Sequence, residues 1–383
     1  MESYDWKSTL KLNIQSLKIM GLWPHNLTYK LNLYVMCTFF LYTSFIICHV
    51  FFQAINIYFM RDNLSAVVGI IYILLIKILS GFKGYYLIKN MGLLKQVLEI
   101  LDDDIFRPKT PNQEEIIKSN VRFWKFVRML YVSTCYGSNL FFGIYPLFDK
   151  SSEERRLPFL AWYPFDSKVS PFYEITYTYQ MFAVVYNTSV HIHVDSLICV
   201  FNVYASCQFE ILTDSLKNFG KESEKFAGEN STMLVKCIKH HKSILDYIKK
   251  CNLFLNWIVF IQFFVSTISI GITMYQLTLV APLSNQFNSL ILYWSAIVVQ
   301  IFLFCWFGNE VQEKSDKVPY AAFESNWVEI PLNTKKMLLF FTMKLLKPVR
   351  LSALDLFYLT LDTFMRIMKT AWSYFAFLHQ VGT

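Results

Sequence analysis

Charge is scarce in this chain. Asp, Glu, Lys and Arg make up only 17% of 383 residues against 54% hydrophobic types, which excludes an ordinary soluble domain and points to a membrane protein. Glycine and proline are sparse too, at 12 and 11 residues, and no glycine-rich phosphate loop, HExxH pair or nucleophile elbow occurs. No enzyme chemistry is predicted. The eight cysteines form no CxxC pair and no zinc-like Cys/His spacing. Cys37, Cys48, Cys135, Cys199 and Cys305 lie in apolar runs, and Cys207, Cys237 and Cys251 lie in or beside one basic connection. They read as buried side chains and cytosolic thiols, so no disulfide, metal or cofactor is expected. No internal repeat or pair of broken helices is visible, which argues against a secondary transporter. The first residues lack the compact apolar core and cleavage site of a signal peptide, so the first span is expected to target the chain.

What the sequence has in abundance is long apolar runs. Seven are long enough to span a bilayer: Leu31–Phe59, Leu64–Phe82, Met129–Phe148, Phe172–Val203, Leu253–Val280, Phe287–Phe307 and Leu351–Leu378. The net charge of +8 could suggest nucleic acid, but the basic residues flank apolar runs, where membrane anchoring explains them. Counting Lys and Arg puts 28 with the N-terminus and the connections after segments two, four and six, and only five in the opposite connections. The positive-inside rule therefore predicts an all-α membrane protein of seven transmembrane helices with a cytoplasmic N-terminus and an extracellular C-terminus. That orientation is the reverse of a G-protein-coupled receptor.

The boundaries that follow are a cytoplasmic segment at 1–30, spans one to four at 31–203, a cytoplasmic helical connection at 204–252, spans five and six at 253–307, an anchor-helix region at 308–350 and the last span at 351–383, all within a single subunit. Ile211, Leu212, Leu216 and Phe219 continue the fourth segment at helical spacing, and Val235–Asn252 leads into the fifth likewise. Lys335–Leu346 reads as a further short helix, broken at Lys347-Pro348. Helices of this kind are expected to project below the membrane as an oligomerisation platform.

Several polar residues stand out against this background. In the last segment, Asp355, Asp362, Arg366, Lys369, Ser373 and Gln380 fall on one helical stripe, opposite Phe357, Leu361, Phe364, Met368, Ala371 and Phe375. Such a stripe lines water or packs within a bundle. Arg366 can pair with Asp362 at i, i+4. Lys77 lies deep in the second segment, where a lone ammonium is costly unless it snorkels or faces the bundle interior. His191, His193 and Asp195 cluster in the fourth, but only the i, i+4 pair aligns on a helix, which favours internal hydrogen bonds over a metal. Asn63-Leu-Ser65 is a glycosylation sequon on a predicted outer loop, while Asn26 and Asn230 fall inside the cell.

The C-terminal third carries a recognisable pattern: Phe304-Cys-Trp-Phe-Gly-Asn309, Ser315, Ala321-Ala-Phe-Glu-Ser-Asn-Trp327, the Lys335 helix and a terminal Ser373-Tyr-Phe-Ala-Phe-Leu378. Together with Lys18-Ile-Met-Gly-Leu-Trp-Pro24 and the inverted seven-span layout, it resembles the insect odorant receptors over essentially the whole chain. The resemblance implies a ligand-gated, nonselective cation channel of four subunits. In it a divergent odorant-binding subunit assembles with a shared co-receptor in the plasma membrane of olfactory sensory neurons. Its cytoplasmic helices would form the central anchor and its last span would surround the pore. Matching Tyr374-Phe375 to the family's Tyr-Phe carries the gate onto Phe377, Gln380 and Val381, with Ser373 on the same stripe. The chain lacks the co-receptor's long insertion between spans four and five, and Phe377 is bulkier than the aliphatic residue usual there, so it looks like a tuning subunit. The alternatives are a metabotropic chemoreceptor, a transporter, or a gustatory-type channel of the same architecture.

Aromatic and hydroxyl side chains gather in the outer halves of spans two, three, four and six: Tyr72, Ser138, Phe141, Phe142, Tyr145, Tyr179, Phe182, Tyr186 and Tyr293, with Met181 nearby. Tyr179, Phe182 and Tyr186 recur at i, i+3, i+7 and are expected to share a face. As a set these residues predict an apolar pocket suited to a small volatile ester, alcohol or aldehyde, held by burial and one or two hydrogen bonds.

Overall fold

The computed structural model describes residues 6–24, 27, 29, 32–62, 64–148, 155–220 and 227–382. Asn26 and Asn63 and the side chains of Tyr145, Asn230 and Val381 lie outside the described residues. The order is α1 (Lys7–Ile19), α2 (Leu33–Tyr42), a π-helical turn (Thr43–Cys48), α3 (His49–Phe59), α4 (Leu64–Lys89), α5 (Met91–Leu101), α6 (Pro111–Phe148), α7 (Phe172–Lys217), α8 (Ala227–Leu279), α9 (Asn285–Phe323), α10 (Leu332–Leu345), a two-residue hairpin β1 (Ser352–Ala353) and β2 (Phe357–Tyr358), and α11 (Leu361–Gly382).

Seven helical rods correspond to the seven apolar segments: α2–α3, α4, α6, α7, α8, α9 and α11. Among the described residues five of these, α2–α3, α4, α7, α8 and α9, are long and apolar enough to cross a membrane by length and composition. The charged first half of α6 and the polar stripe of α11 lower their hydropathy. At about 1.5 Å per residue, the 46 residues of α7 and 53 of α8 reach well beyond a bilayer core of about 30 Å. The helices start where local chemistry directs. Asn32 accepts from the Val35 N–H at 3.0 Å and Ser284 from the Phe287 N–H at 3.1 Å. At α6, Thr110 caps the Gln113 N–H at 3.2 Å ahead of Pro111, whose missing N–H costs nothing in the first turn.

α7 is the axis of the bundle, 89% buried along its most apolar stretch against 17% for the first rod, and it packs on α4, α6, α8 and α9. α1 lies along its basic-end half. Asn13 Nδ2 donates to the His193 carbonyl at 3.0 Å, and Tyr204 OH donates to Thr9 Oγ1 at 3.0 Å. The basic-end extensions of the long helices are joined by polar contacts. Lys314 pairs with Glu210, Asn120 Nδ2 donates to Glu210 Oε2 at 2.8 Å, and Lys217 pairs with Glu324 at 2.8 Å.

Two expectations are corrected. α4 runs on to Lys89 rather than ending at Phe82, so Lys83 is fully buried in the bundle rather than in a cytoplasmic connection. The last span begins at Leu361, not Leu351. The preceding residues pair Ser352 with Tyr358 and Ala353 with Phe357, around Leu354 and Asp355 at φ 54° and 56°. Asn252 stabilises this hairpin by accepting from the Ser352 N–H at 3.0 Å, and Ser352 Oγ donates to Asp355 Oδ1 at 2.6 Å. Asp355 therefore leaves the polar stripe and Phe357 leaves the opposite face.

The residues of the C-terminal pattern have structural work. Gly308 passes so close to the hairpin that a Cβ there would lie 2.5 Å from the Leu359 carbonyl oxygen. Ser315 Oγ accepts from the Val349 N–H at 3.2 Å, holding the segment after α10 against α9. The Asn326 N–H donates to the Phe219 carbonyl at 3.2 Å, joining the ends of α9 and α7.

Candidate functional site: a cavity between four helices

α4, α6, α7 and α9 surround a cavity of about 90 Å³. These are spans two, three, four and six. The wall is mainly apolar, from Ile73, Ile76, Val184, Ile192, Ala296 and Ile297. Phe142, Phe159 and Tyr293 add aromatic surface. Phe159 comes from the connection between α6 and α7 and is held by Gln180. The Phe159 N–H donates to Gln180 Oε1 at 3.0 Å, and Gln180 Nε2 donates back to the Phe159 carbonyl at 2.9 Å. Its ring lies 5.8 Å from Phe142 and so closes that side of the cavity.

The lining also includes Tyr131, His191 and Gln300, which contact a buried ion pair that does not itself line the cavity. Lys83 Nζ on α4 lies 2.5 Å from Asp195 Oδ1 on α7, both buried. Tyr131 OH donates to Asp195 Oδ2 at 3.1 Å, Gln300 Nε2 donates to the same oxygen, and His191 lies 3.3 Å from Lys83. Gln300 is itself paired with Gln262, whose Nε2 donates to Gln300 Oε1 at 3.0 Å. Three side chains from α6, α7 and α9 thus converge on one ion pair between α4 and α7, the arrangement a buried charge requires. The i, i+4 pair His191 and Asp195 sits in this network, and His193 instead bonds Asn13 Oδ1 at 2.6 Å, so the cluster is engaged in internal hydrogen bonds. Among the described residues, no group of His, Cys, Asp and Glu could hold a metal ion.

Of the nine pocket candidates, Ser138, Phe142 and Tyr293 line the cavity. Among the described residues, the Ser138 hydroxyl is buried without a hydrogen-bond partner. Tyr72 stands behind Tyr293, accepting its hydroxyl on the Tyr72 carbonyl at 3.0 Å, with the rings 5.2 Å apart. Tyr179 donates to the Ser44 carbonyl at 2.7 Å and Tyr186 to the Met20 carbonyl at 2.9 Å, and both rings meet Phe45. They face the π-helical turn and the end of α1 rather than the cavity. Phe182 turns outward at 63% exposure and Phe141 is also exposed, so Tyr179, Phe182 and Tyr186 do not share one face. Sequence reasoning missed Phe159, Lys83 and Gln300. Lys77, Ser80 and Lys83 at i, i+3, i+6 were a readable sign that one side of α4 is polar.

On α11, Thr363, Ile367 and Ala371 pack inward, while Asp362, Arg366, Lys369, Ser373, Phe377 and Gln380 are exposed on the single chain. Arg366 pairs with Asp362 at 2.8 Å. α11 docks on α8 at Gly271, where a Cβ would lie 2.9 Å from the Ala371 carbonyl oxygen.

A bundle of membrane-length helices around a cavity, with long helical extensions at one end, defines a multi-pass membrane protein. The chain belongs to the insect odorant receptor family, whose family model, described as 7tm Odorant receptor, matches residues 63–372. It is 24% identical to Odorant receptor Or1 of Anopheles gambiae over 99% of this chain and 97% of that protein. It is 27% identical to Odorant receptor 10 of Aedes albopictus over 65% of this chain and 64% of that protein. Its fold matches the insect olfactory receptor OR5 from Machilis hrabei, solved in complex with eugenol, at a TM-score of 0.86 and 18% identity over 98% of both chains.

Proposed function

We propose that this chain is the odorant-binding subunit of a ligand-gated, nonselective cation channel, assembled as a heterotetramer with a shared co-receptor in the plasma membrane of olfactory sensory neurons. The observation that carries this reading is the cavity between four helices, whose apolar wall and Ser138 hydroxyl, unpaired among the described residues, suit a small volatile molecule. The eugenol complex of the similar OR5 supports it. The charge asymmetry weighs against a G-protein-coupled receptor, whose N-terminus would lie outside.

A ligand opens a channel only by binding the open arrangement better than the closed one. α9 is the carrier we favour. Tyr293 touches the cavity near one end of α9. Farther along, the Phe302 ring meets Phe364 of α11 at 5.5 Å, and Gly308 abuts Leu359 just before it. A shift of α9 would therefore move α11. In the assembled channel Ser373, Phe377, Gln380 and Val381 would surround the ion path, with their girth and polarity setting passage.

The function is tested by expressing the chain with the co-receptor and recording currents to a panel of volatiles. Responses that need this chain support the reading, and saturable uptake without channel currents would indicate a transporter. For the pore, Gln380→Glu should raise the permeability of divalent relative to monovalent cations and Gln380→Lys should lower it. Unchanged selectivity and conductance in both would remove Gln380 from the ion path.

A further inference from the structure

We infer that the odorant of this receptor carries a carboxylate, which pairs with Lys77 in the cavity. The inference rests on reading the cavity as the odorant site. α4 buries two lysines, six residues apart, and they differ in one respect. Lys83 is paired with Asp195. Lys77 is 5% exposed, and among the described residues no carboxylate pairs with it. Its ammonium has three N–H donors. Two are used, on Gln53 Oε1 at 2.9 Å and on His49 Nε2 at 3.1 Å. Both partners are neutral acceptors and neither balances the charge. Lys77 lines the cavity, and its nitrogen lies 4.4 Å from the centre of the Phe159 ring that closes it.

An ammonium this buried is favoured only together with a counter-charge, and the space that could supply one is the cavity itself, so a carboxylic acid entering it can give Lys77 its proton and pair with it. Ser138 gives a second, independent indication. It is 4% exposed, lines the same cavity, and its hydroxyl has no partner among the described residues. Two donors thus face one apolar chamber, one of them charged. A carboxylate offers two acceptor oxygens and the missing negative charge, while its alkyl or aryl body fits against Ile73, Val184 and Ile297. An ester, alcohol or aldehyde of the same skeleton can accept from these donors but brings no counter-charge. The ligand class is therefore a small monocarboxylic acid.

The test uses the full chain with the co-receptor and four probes of one chain length: hexanoic acid, hexan-1-ol, hexanal and methyl hexanoate. The expected result is half-maximal current for hexanoic acid at a concentration about tenfold or more below that of each neutral probe, the range of a charge-assisted hydrogen bond. Lys77→Met, which keeps the length of the side chain and removes the charge, should lower the acid-to-alcohol potency ratio about tenfold or more. Lys77→Arg should restore part of that ratio. If Lys77→Met does not reach the cell surface, the wild-type ranking decides. A neutral probe equal to or better than the acid, or an unchanged ratio in Lys77→Met, overturns the inference. When neutral volatiles act and a substitution that fills the cavity blocks them, the odorant site stands and only the Lys77 assignment falls. Silence of the surface-expressed complex to every volatile would sink the odorant-site reading as well.

Discussion

Asp195→Ala should prevent this receptor from reaching the cell surface. The substitution leaves Lys83 fully buried without its carboxylate, and it strands Tyr131 and Gln300, which donate to the same group. Removing one partner of a buried ion pair costs about 3–5 kcal/mol, a large part of the roughly 5–15 kcal/mol that holds a typical fold together. Replacing both partners with apolar residues is often tolerated, so Lys83→Met with Asp195→Leu should recover much of the loss. Surface biotinylation and the thermal stability of the detergent-solubilised chain read both effects. A double variant no better than Asp195→Ala would mean that the other donors, and not the ion pair, dominate the network.

Gly308→Val should be nearly as damaging, for a steric reason. The Cβ would meet the backbone of Leu359, which is fixed by the hairpin and cannot rotate away as a flexible side chain could. Forcing atoms into a filled site costs about 1–3 kcal/mol for ordinary core positions, and a backbone obstacle puts this case at the upper end. The variant should lose thermal stability and channel current together. Gly92→Ala, on the exposed side of α5 where a Cβ would meet nothing within 4 Å, should change neither. A Gly308→Val channel with normal expression and current would remove the close approach of α9 and the hairpin from the account.

Much of the architecture was legible in the sequence because it rests on long apolar runs and on charge at their ends, both local properties. The helical continuations through Ile211 and Leu216 and the short helix near Lys335 were read from spacing alone. The hairpin before α11 was not, because Leu354 and Asp355 adopt left-handed φ values without glycine and lie in a run apolar enough to pass for helix. The cavity was legible as a set of four helices but less so in its details. Tyr179 and Tyr186 have the composition of pocket residues, yet their hydroxyls bond Ser44 and Met20, partners far away in sequence. Phe159 lies in a connection whose position depends on Gln180, and no periodicity marks such a pairing. The exposed stripe of α11 followed directly from its 3.6-residue period once its start was moved to Leu361.

The central claim is that a volatile in the cavity between α4, α6, α7 and α9 opens a cation channel. Ala296 is buried and lines that cavity, so Ala296→Phe would occupy the space a ligand needs. The decisive measurement is whole-cell current from the assembled complex carrying Ala296→Phe, recorded with an active volatile and with an agonist of the co-receptor. Potency for the volatile should fall by about tenfold or more, with current from the co-receptor agonist preserved. Unchanged volatile responses in a variant that reaches the surface would place the ligand elsewhere and contradict the claim.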